Sequence, residues 1–332
     1  MNSFGRIFRI SIFGESHGKA VGVTVDGCPA GLALSPADFE ADLSRRKSGA
    51  KGTTPRKETD LPALISGVYE GKTTGAPLTI LFENANIKPS DYNNLVKLPR
   101  PGHADFVAVK KFGGFADYSG GGHFSGRLTL ALVATGVIAK KLISPITINA
   151  QIIEAGGNKN IEEAVENAVK SSDSIGGIVE CKAVNMPVGL GEPFFDAIES
   201  LISHLVFAIP AIKGIEFGSG FEAAKMRGSL HNDPIISPEG TTKTNNSGGI
   251  NGGITNGNDL VFRVAIKPTS SIGLAQQTFN FETNKVEELK IVGRHDACIA
   301  LRMPPIIEAA TAIVLADLML LEHQIKRVHP AG

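Results

Sequence analysis

The chain has 332 residues, and 33 Lys plus Arg balance 33 Asp plus Glu, so the formal net charge is zero and the basic excess of a nucleic-acid-binding protein is missing. Hydrophobic residues make up 42% and Gly stands at 38, which describes a globular chain with much backbone in turns or close to ligands. Cys28, Cys181 and Cys298 are far apart with no C-x-x-C or H-E-x-x-H pattern, no apolar run reaches about 18 residues and the first residues carry no cleavage signal, so zinc, disulfides, a membrane span and export are not expected and a reducing cytoplasm is.

Residues 4–34 read as a hairpin around FGESHG, Phe13 to Gly18. Gly14 to Gly18 fits the G-x-S-x-G pattern of a hydrolase nucleophile elbow, but its context disagrees. Too little chain precedes it for the earlier strands of such a sheet. Val21, Val23 and Val25 alternate after it, which is a strand signal where a helix is needed. Neighbouring side chains on an extended segment also point to opposite faces, so Ser16 and His17 are badly placed to pair. Ser35-Pro36-Ala37-Asp38 opens a helix with Ser as N-cap and Pro in the first turn. It closes on Arg45-Arg46-Lys47 before Gly49, cations that suit a helix C-terminus.

Residues 48–60 form a polar, basic loop, followed by strands at 63–69 and 78–83 and a loop over 84–105 that ends in RPGHAD. Gly120 to Gly122 precede a helix over 125–143, a plausible anion site because helix N-termini present free N–H groups. Strands at 147–153 and 178–184 and helices at 160–170 and 193–208 follow. The turn-rich stretch 245–257 leads into a strand, DLVFRVAIKP, and a last helix runs from Pro305 to Lys326. No repeat and no linker divides the chain, and strands and helices mix without a regular βαβ beat. The expectation is one α+β domain over 1–332 rather than a doubly wound sheet.

Two glycine-rich stretches nearly fit nucleotide loops. Gly67 to Thr73 has three residues between its glycines where a Walker loop needs four. Gly218 to Ala223 fits G-x-G-x-x-A after the strand-like IKGIEF, but only a short AAKMRG follows, too little for a crossover helix.

Three histidines stand in polar, glycine-flanked loops, His17, His103 and His295, each with an acid nearby, Glu15, Asp105 and Asp296. Arg100 and Arg294 lie beside two of them, and Arg46, Arg127 and Arg302 are further arginines whose planar fork suits phosphate or carboxylate. Together they point to proton handling beside an anion. The chemistry alone indicates an enzyme acting on a small phosphorylated or carboxylated substrate.

Eight ordered motifs resemble those of the chorismate synthase family: FGESHG (13–18), TTGAPL (73–78), RPGHAD (100–105), DYSGGG (117–122), KGIEFGSGF (213–221), NNSGGINGGITNG (245–257), KPTSSI (267–272) and GRHDAC (293–298). The resemblance implies a β-α-β sandwich and a homotetramer. It implies 1,4-elimination of phosphate from 5-enolpyruvylshikimate 3-phosphate to give chorismate, with reduced FMN needed but no net redox change. Residue by residue, His17 is similar to the family histidine beside the leaving phosphate, His103 to the one that protonates reduced flavin, and Asp296 to the acid that takes the substrate proton. Ser16, Arg46, Arg100 and Arg127 resemble the substrate shell. His123, Phe124, Ser125, Pro210, Ala211, Gly252, Lys267, Pro268, Thr269, Ser270, Ser271 and Arg294 lie at positions similar to FMN contacts. No metal is implied. Whether NADPH reduces the flavin on this chain or a separate flavin reductase supplies it stays open.

The chain departs from the family pattern at His123-Phe124, where Arg-Ser is usual, and at Ala297, where proline is usual; the basic loop near Lys51 is one residue shorter. The altered pair leaves a second reading, a flavin-binding homologue without turnover. A phosphotransferase built on the near-miss glycine loops is the third.

Overall fold

A computed structural model describes residues 2–49, 51–53, 59–85, 95–291 and 296–323. In chain order, β1 (Ser3–Phe4), β2 (Arg9–Gly14), β3 (Ala20–Asp26), α1 (Glu40–Arg46), β4 (Ala63–Ser66), β5 (Val68–Tyr69), β6 (Lys72–Thr73) and β7 (Leu78–Glu83) form the first part. Next come α2 (Asp105–Lys111), α3 (Thr129–Leu142), β8 (Thr147–Ala155), α4 (Ile161–Lys170), β9 (Gly177–Val184), α5 (Ile198–Phe207), β10 (Ile212–Phe217) and α6 (Gly228–His231). The last part holds β11 (Ile250–Asn251), β12 (Ile254–Thr255), β13 (Leu260–Ile266), β14 (Gln276–Asn280), β15 (Lys285–Leu289) and α7 (Pro304–Leu321).

Alternating sequence becomes two antiparallel sheets. One has the order β1-β2-β3-β7-β4 and the other β10-β13-β9-β8. In β7, Leu78, Ile80 and Phe82 point inward; in β13, Leu260, Phe262, Val264 and Ile266 do. Between the sheets lie α3 and α7, packed on each other, α3 against β3 and α7 against β8 and β9. Both helices are buried nearly all round, as helices of a middle layer must be. They approach closely because Gly136 of α3 faces Ala309, where a β carbon would meet the Ala309 β carbon at 2.3 Å. The result is a β-α-β sandwich of α+β class, with one continuous core shared by both sheets.

The hairpin around FGESHG forms, with Gly14 opposite Val21 across β2 and β3. The helix expected from Ser35 begins as a 3-10 turn over Pro36–Phe39 before α1, and Asp38 accepts from the Ser35 N–H at 2.7 Å. The helix expected over 193–208 is α-helical only from Ile198, because Phe194 sits at a φ of 67° that a helix cannot continue. Residues 324–326 at the expected end of the last helix lie outside the described residues. Within those described, α7 is long and apolar enough to cross a membrane, yet 83% of it is buried inside the fold. Both near-miss nucleotide loops resolve as turns. The first caps the β5–β6 ribbon, and the second follows β10 with a 3-10 turn.

Candidate active site

The site forms where the β2–β3 turn meets the triple glycine ahead of α3. The Ser16 N–H donates to the Gly122 carbonyl at 3.1 Å. Asn84, just past β7, closes the other side of the turn, its amide donating to the carbonyls of Glu15 (3.0 Å) and Gly18 (2.8 Å). Gly120 and Gly121 adopt φ of 60° and 86°, the left-handed region that favours glycine. Side chains crowd against both. A β carbon at 120 would lie 2.1 Å from His17 Cε1, and one at 121 would lie 3.2 Å from His103 Cε1. The triple-glycine turn therefore brings His17 and His103, 86 positions apart in sequence, to one short piece of backbone.

On one side of the turn is a cavity of about 370 Å³ whose walls include Ser16, Arg46, Lys47, Asp60, Arg127, Asp296 and Arg302. Arg46 and Arg127 are buried. Arg46 donates through Nε to Thr129 Oγ1 (3.1 Å) and through Nη2 to the carbonyls of Gly126 (3.1 Å) and Arg127 (3.2 Å). Asp60 stands between the two arginines, 2.6 Å from Arg127 Nη1 and 3.6 Å from Arg46 Nη1. Arg127 Nε donates to Asn84 Oδ1 at 2.7 Å, which ties the cationic wall to the β2–β3 turn. Arg302 reaches Asp296 Oδ2 at 3.3 Å and the Arg46 carbonyl at 3.0 Å. Burial, then the charge of Arg302, push the Arg46 guanidinium down to about 9, with Asp60 opposing and Arg127 adding to the shift. It remains a cation at neutral pH, in a place where an arriving anion relieves the repulsion.

Adjoining it is a larger cavity of about 740 Å³, sharing Ser125, Gly126, Thr129, Pro210 and Ile299 with the first. His103, His123, Phe124, Ser125, Pro210, Ala211 and the run Lys267 to Ser271 line it, so most of the expected flavin contacts come together. Leu128, Leu132, Leu205, Ile209 and Ile212 supply apolar wall, while Lys213 and Lys267 supply charge. Burial and then Lys213 lower the Lys267 ammonium, the mark of two cations at one place. Thr269 Oγ1 is buried without a hydrogen-bond partner among the described residues. The volume is in the range of sites for drug-sized ligands, about 300–1,000 Å³. An apolar slot with paired lysines fits a flat ring system carrying a phosphate.

Other expected residues lie elsewhere. Arg100 stays apart from Arg46 and Arg127: Nε and Nη2 donate to Asp105 at 2.8 Å each, and Nη1 donates to Ser271 Oγ at 3.1 Å. His17 lies behind Gly120, nearly buried, and Ser16 of the same turn faces the cationic cavity. Gly252 is in the β11–β12 turn, outside both cavities. Arg294 and His295 fall outside the described residues. His123 Nδ1 is 2.8 Å from the Gly14 carbonyl, and Nε2 is 3.0 Å from the Asn2 side chain, so this histidine pins the glycine turn to the N-terminal strands.

Asp60, Asn84 and Asn2 were not singled out by the sequence, and Lys213 entered only as the first residue of the KGIEFGSGF motif, with no role. Asp60 sat in the polar loop over 48–60, but nothing in spacing pairs it with Arg127. The three thiols are buried; burial raises Cys28 to about 11 and Cys181 to about 12, which leaves them inert. Among the described residues no group of three or more His, Cys, Asp or Glu side chains could hold a metal ion.

Comparison with known proteins covers nearly the whole chain. The family model described as chorismate synthase matches residues 8–320. A chorismate synthase of Chitinophaga pinensis is 60% identical over 329 residues, covering 99% of each chain. One of Methanocaldococcus jannaschii is 42% identical over 366 aligned positions, covering 96% of each. A solved structure described as a crystal structure of chorismate synthase superposes with a TM-score of 0.75 at 27% identity, covering 96% of this chain and 93% of the other. Fold, motif order and full-length similarity agree, and the chain belongs to the chorismate synthase family of carbon–oxygen lyases.

Proposed function

We propose that this chain removes phosphate and a ring proton from 5-enolpyruvylshikimate 3-phosphate by 1,4-elimination, giving chorismate, with reduced FMN in the larger cavity. The observation that carries the reading is the pair of adjoining cavities, one cationic and compact, the other apolar with paired lysines, sharing a wall at Ser125 to Thr129. A small substrate bearing phosphate and carboxylates matches the first; a flavin mononucleotide matches the second.

Arg46, Arg127 and Arg302 bind and orient the anionic groups, and their charge favours phosphate as it departs. Ser16, on the turn that also carries His17, faces the cationic cavity, and the resemblance assigns His17 the hydrogen bond to the developing charge there. The Asp296 carboxylate, oriented by Arg302, takes the ring proton. His103 faces the larger cavity as the proton-bearing group beside the cofactor. Lys267, Lys213 and the backbone around Ser270 hold the cofactor phosphate. Reduced FMN, when bound, supplies transient electron density as phosphate leaves, so a redox cofactor serves a reaction with no net oxidation. The reading carries a homotetramer, a cytoplasmic location as the last step of the shikimate pathway, and reduced flavin supplied through NADPH on this chain or by a separate reductase.

The test is anaerobic turnover of 5-enolpyruvylshikimate 3-phosphate with chemically reduced FMN, following chorismate absorbance and phosphate release together. Stoichiometric formation of both is expected. Flavin binding without product would favour the homologue without turnover and point to His123-Phe124. Folded protein that neither binds flavin nor forms product would sink the reading.

A further inference from the structure

His103 is held in a way that the proposed function does not use. Its Nδ1 is 2.6 Å from Asp105 Oδ1, and among the described residues both hydrogen-bond contacts of the ring fall on that nitrogen. Asp105 is itself fixed. Its Oδ2 accepts from the Arg100 backbone N–H (3.1 Å) and from Arg100 Nε (2.8 Å), and its Oδ1 accepts from Arg100 Nη2 (2.8 Å). The Arg100 fork is anchored in turn by Ser271 Oγ on the cavity wall, 3.1 Å from Nη1. Arg100 and Asp105 are both buried, while the His103 side chain is 22% exposed and lines the larger cavity.

This geometry decides where the ring carries its protons. Burial favours protonation of the Asp105 carboxyl, but hydrogen bonds from Arg100 and His103 outweigh it and hold the carboxyl well below the usual carboxylate range. An ionised carboxylate only accepts hydrogen bonds. At 2.6 Å it therefore takes the proton on His103 Nδ1. Arg100 Nη2, 3.0 Å from the same nitrogen, cannot donate to it while that proton is present. The neutral ring is then the Nδ1–H tautomer, with Nε2 as the nitrogen left to a ligand. A neutral imidazole in water prefers the opposite form, so the tautomer is imposed by the protein.

We propose that Asp105 is a positioning residue that acts through His103: clamped by Arg100, it fixes the Nδ1–H tautomer and makes Nε2 the atom that exchanges a proton with the occupant of the larger cavity. The proposal rests on the reading of His103 given above. It also accounts for the place of Arg100, whose fork is committed to Asp105 rather than to the cationic cavity.

The test uses the full chain with 15N-labelled histidine and the variants Asp105→Asn, His103→Ala and both together. In the flavin-free protein, ring-nitrogen NMR of the neutral His103 is expected to show Nδ1–H, with a shift toward Nε2–H in Asp105→Asn. Turnover with reduced FMN is expected to fall about a hundredfold in Asp105→Asn, the usual scale of a misplaced general acid. In the His103→Ala background the same change is expected to add nothing, because its effect passes through the missing ring. A wild-type ring in the Nε2–H form, or a tautomer unchanged by Asp105→Asn, would overturn the proposal. So would a full further loss in the double variant, which would make Asp105 a purely structural residue. If His103→Ala kept wild-type turnover, the reading of His103 itself would fall, and the ring-nitrogen spectra alone would decide the positioning.

Discussion

A β carbon at position 120 would lie 2.1 Å from His17 Cε1 and 3.2 Å from Ser16 Oγ, on backbone with φ of 60°. Glycine is thus required twice, once for the conformation and once for the contact. Gly120→Ala must push the imidazole or move the turn, and either displaces Ser16 at the edge of the cationic cavity. The strain itself is modest, about 1–3 kcal/mol. Its effect on chemistry is larger, because a displacement of about 1 Å in a positioned group is enough for roughly a hundredfold loss of rate. The expected outcome is a folded variant with turnover down about a hundredfold and a melting temperature only slightly lowered. Wild-type turnover in Gly120→Ala would mean that the packing of His17 on this turn has no part in the reaction. The same residue-level logic separates the arginines: Arg46 and Arg127 line a cavity, whereas Arg100 is committed to an internal carboxylate.

Among the elements, α7 packs against α1, α3, α5, β8 and β9. It is the apolar centre of the sandwich, yet Glu308 within it is only 1% exposed and accepts from three other elements. Arg45 of α1 binds it with a fork at 2.7 and 2.8 Å, Lys140 of α3 at 2.7 Å, and the Ala150 N–H of β8 at 2.9 Å. Burial alone would raise its carboxyl; Arg45 and Lys140 reverse the sign and lower it from 4.5. A carboxylate with a lowered folded-state value adds stability that is fully present above its unfolded value and is lost as pH falls toward the folded one. The window is therefore below pH 4.5. Glu308→Gln should lower stability by about 2–3 kcal/mol at neutral pH, since Arg45 and Lys140 are partly exposed and keep some water. It should also flatten the fall in stability below pH 4.5. Urea unfolding at a series of pH values reads both effects, and an identical acid slope in the two proteins would rule out Glu308 as its source.

At the scale of the whole molecule, the hydrophobic periodicities carried the architecture and left the site scattered. The alternation of β3, β7 and β13 and the apolar length of α3 and α7 were legible, because each is a local pattern set by a single burial direction. The segment of α2 gave no clear helical stripe: only Asp105 and Ala108 are buried, and Phe106 and Val107 remain exposed. The β14–β15 hairpin is largely polar, so its pairing had no apolar face to announce it. The motifs named His103, but the grip of Asp105 and Arg100 on its ring is a matter of angles that spacing does not encode. Asp60 reaches Arg127 across 67 positions, and such pairings emerge only once the sheets are assembled. The longest of these closes the chain on itself. Asp317 of α7 accepts from the N–H groups of Arg6 (2.9 Å), Ile7 (2.7 Å) and Phe8 (2.8 Å), joining the last helix to the link between β1 and β2. Those two strands supply Ser3, Phe4, Ile10 and Ile12 to the wall of the larger cavity. A carboxylate outside both cavities thus braces the strands that form part of the wall of the larger one. Asp317→Asn keeps the volume but replaces one acceptor oxygen with a donor facing backbone donors, so the link should loosen locally while the core holds. Hydrogen exchange at residues 6–8 is expected to quicken well before the rest of the fold opens. FMN affinity, read by quenching of flavin fluorescence, is expected to weaken about tenfold, roughly 1.4 kcal/mol. Faster exchange with unchanged FMN affinity would show that the cavity wall holds its shape without this tether; unchanged exchange would show that other contacts secure the N-terminal strands.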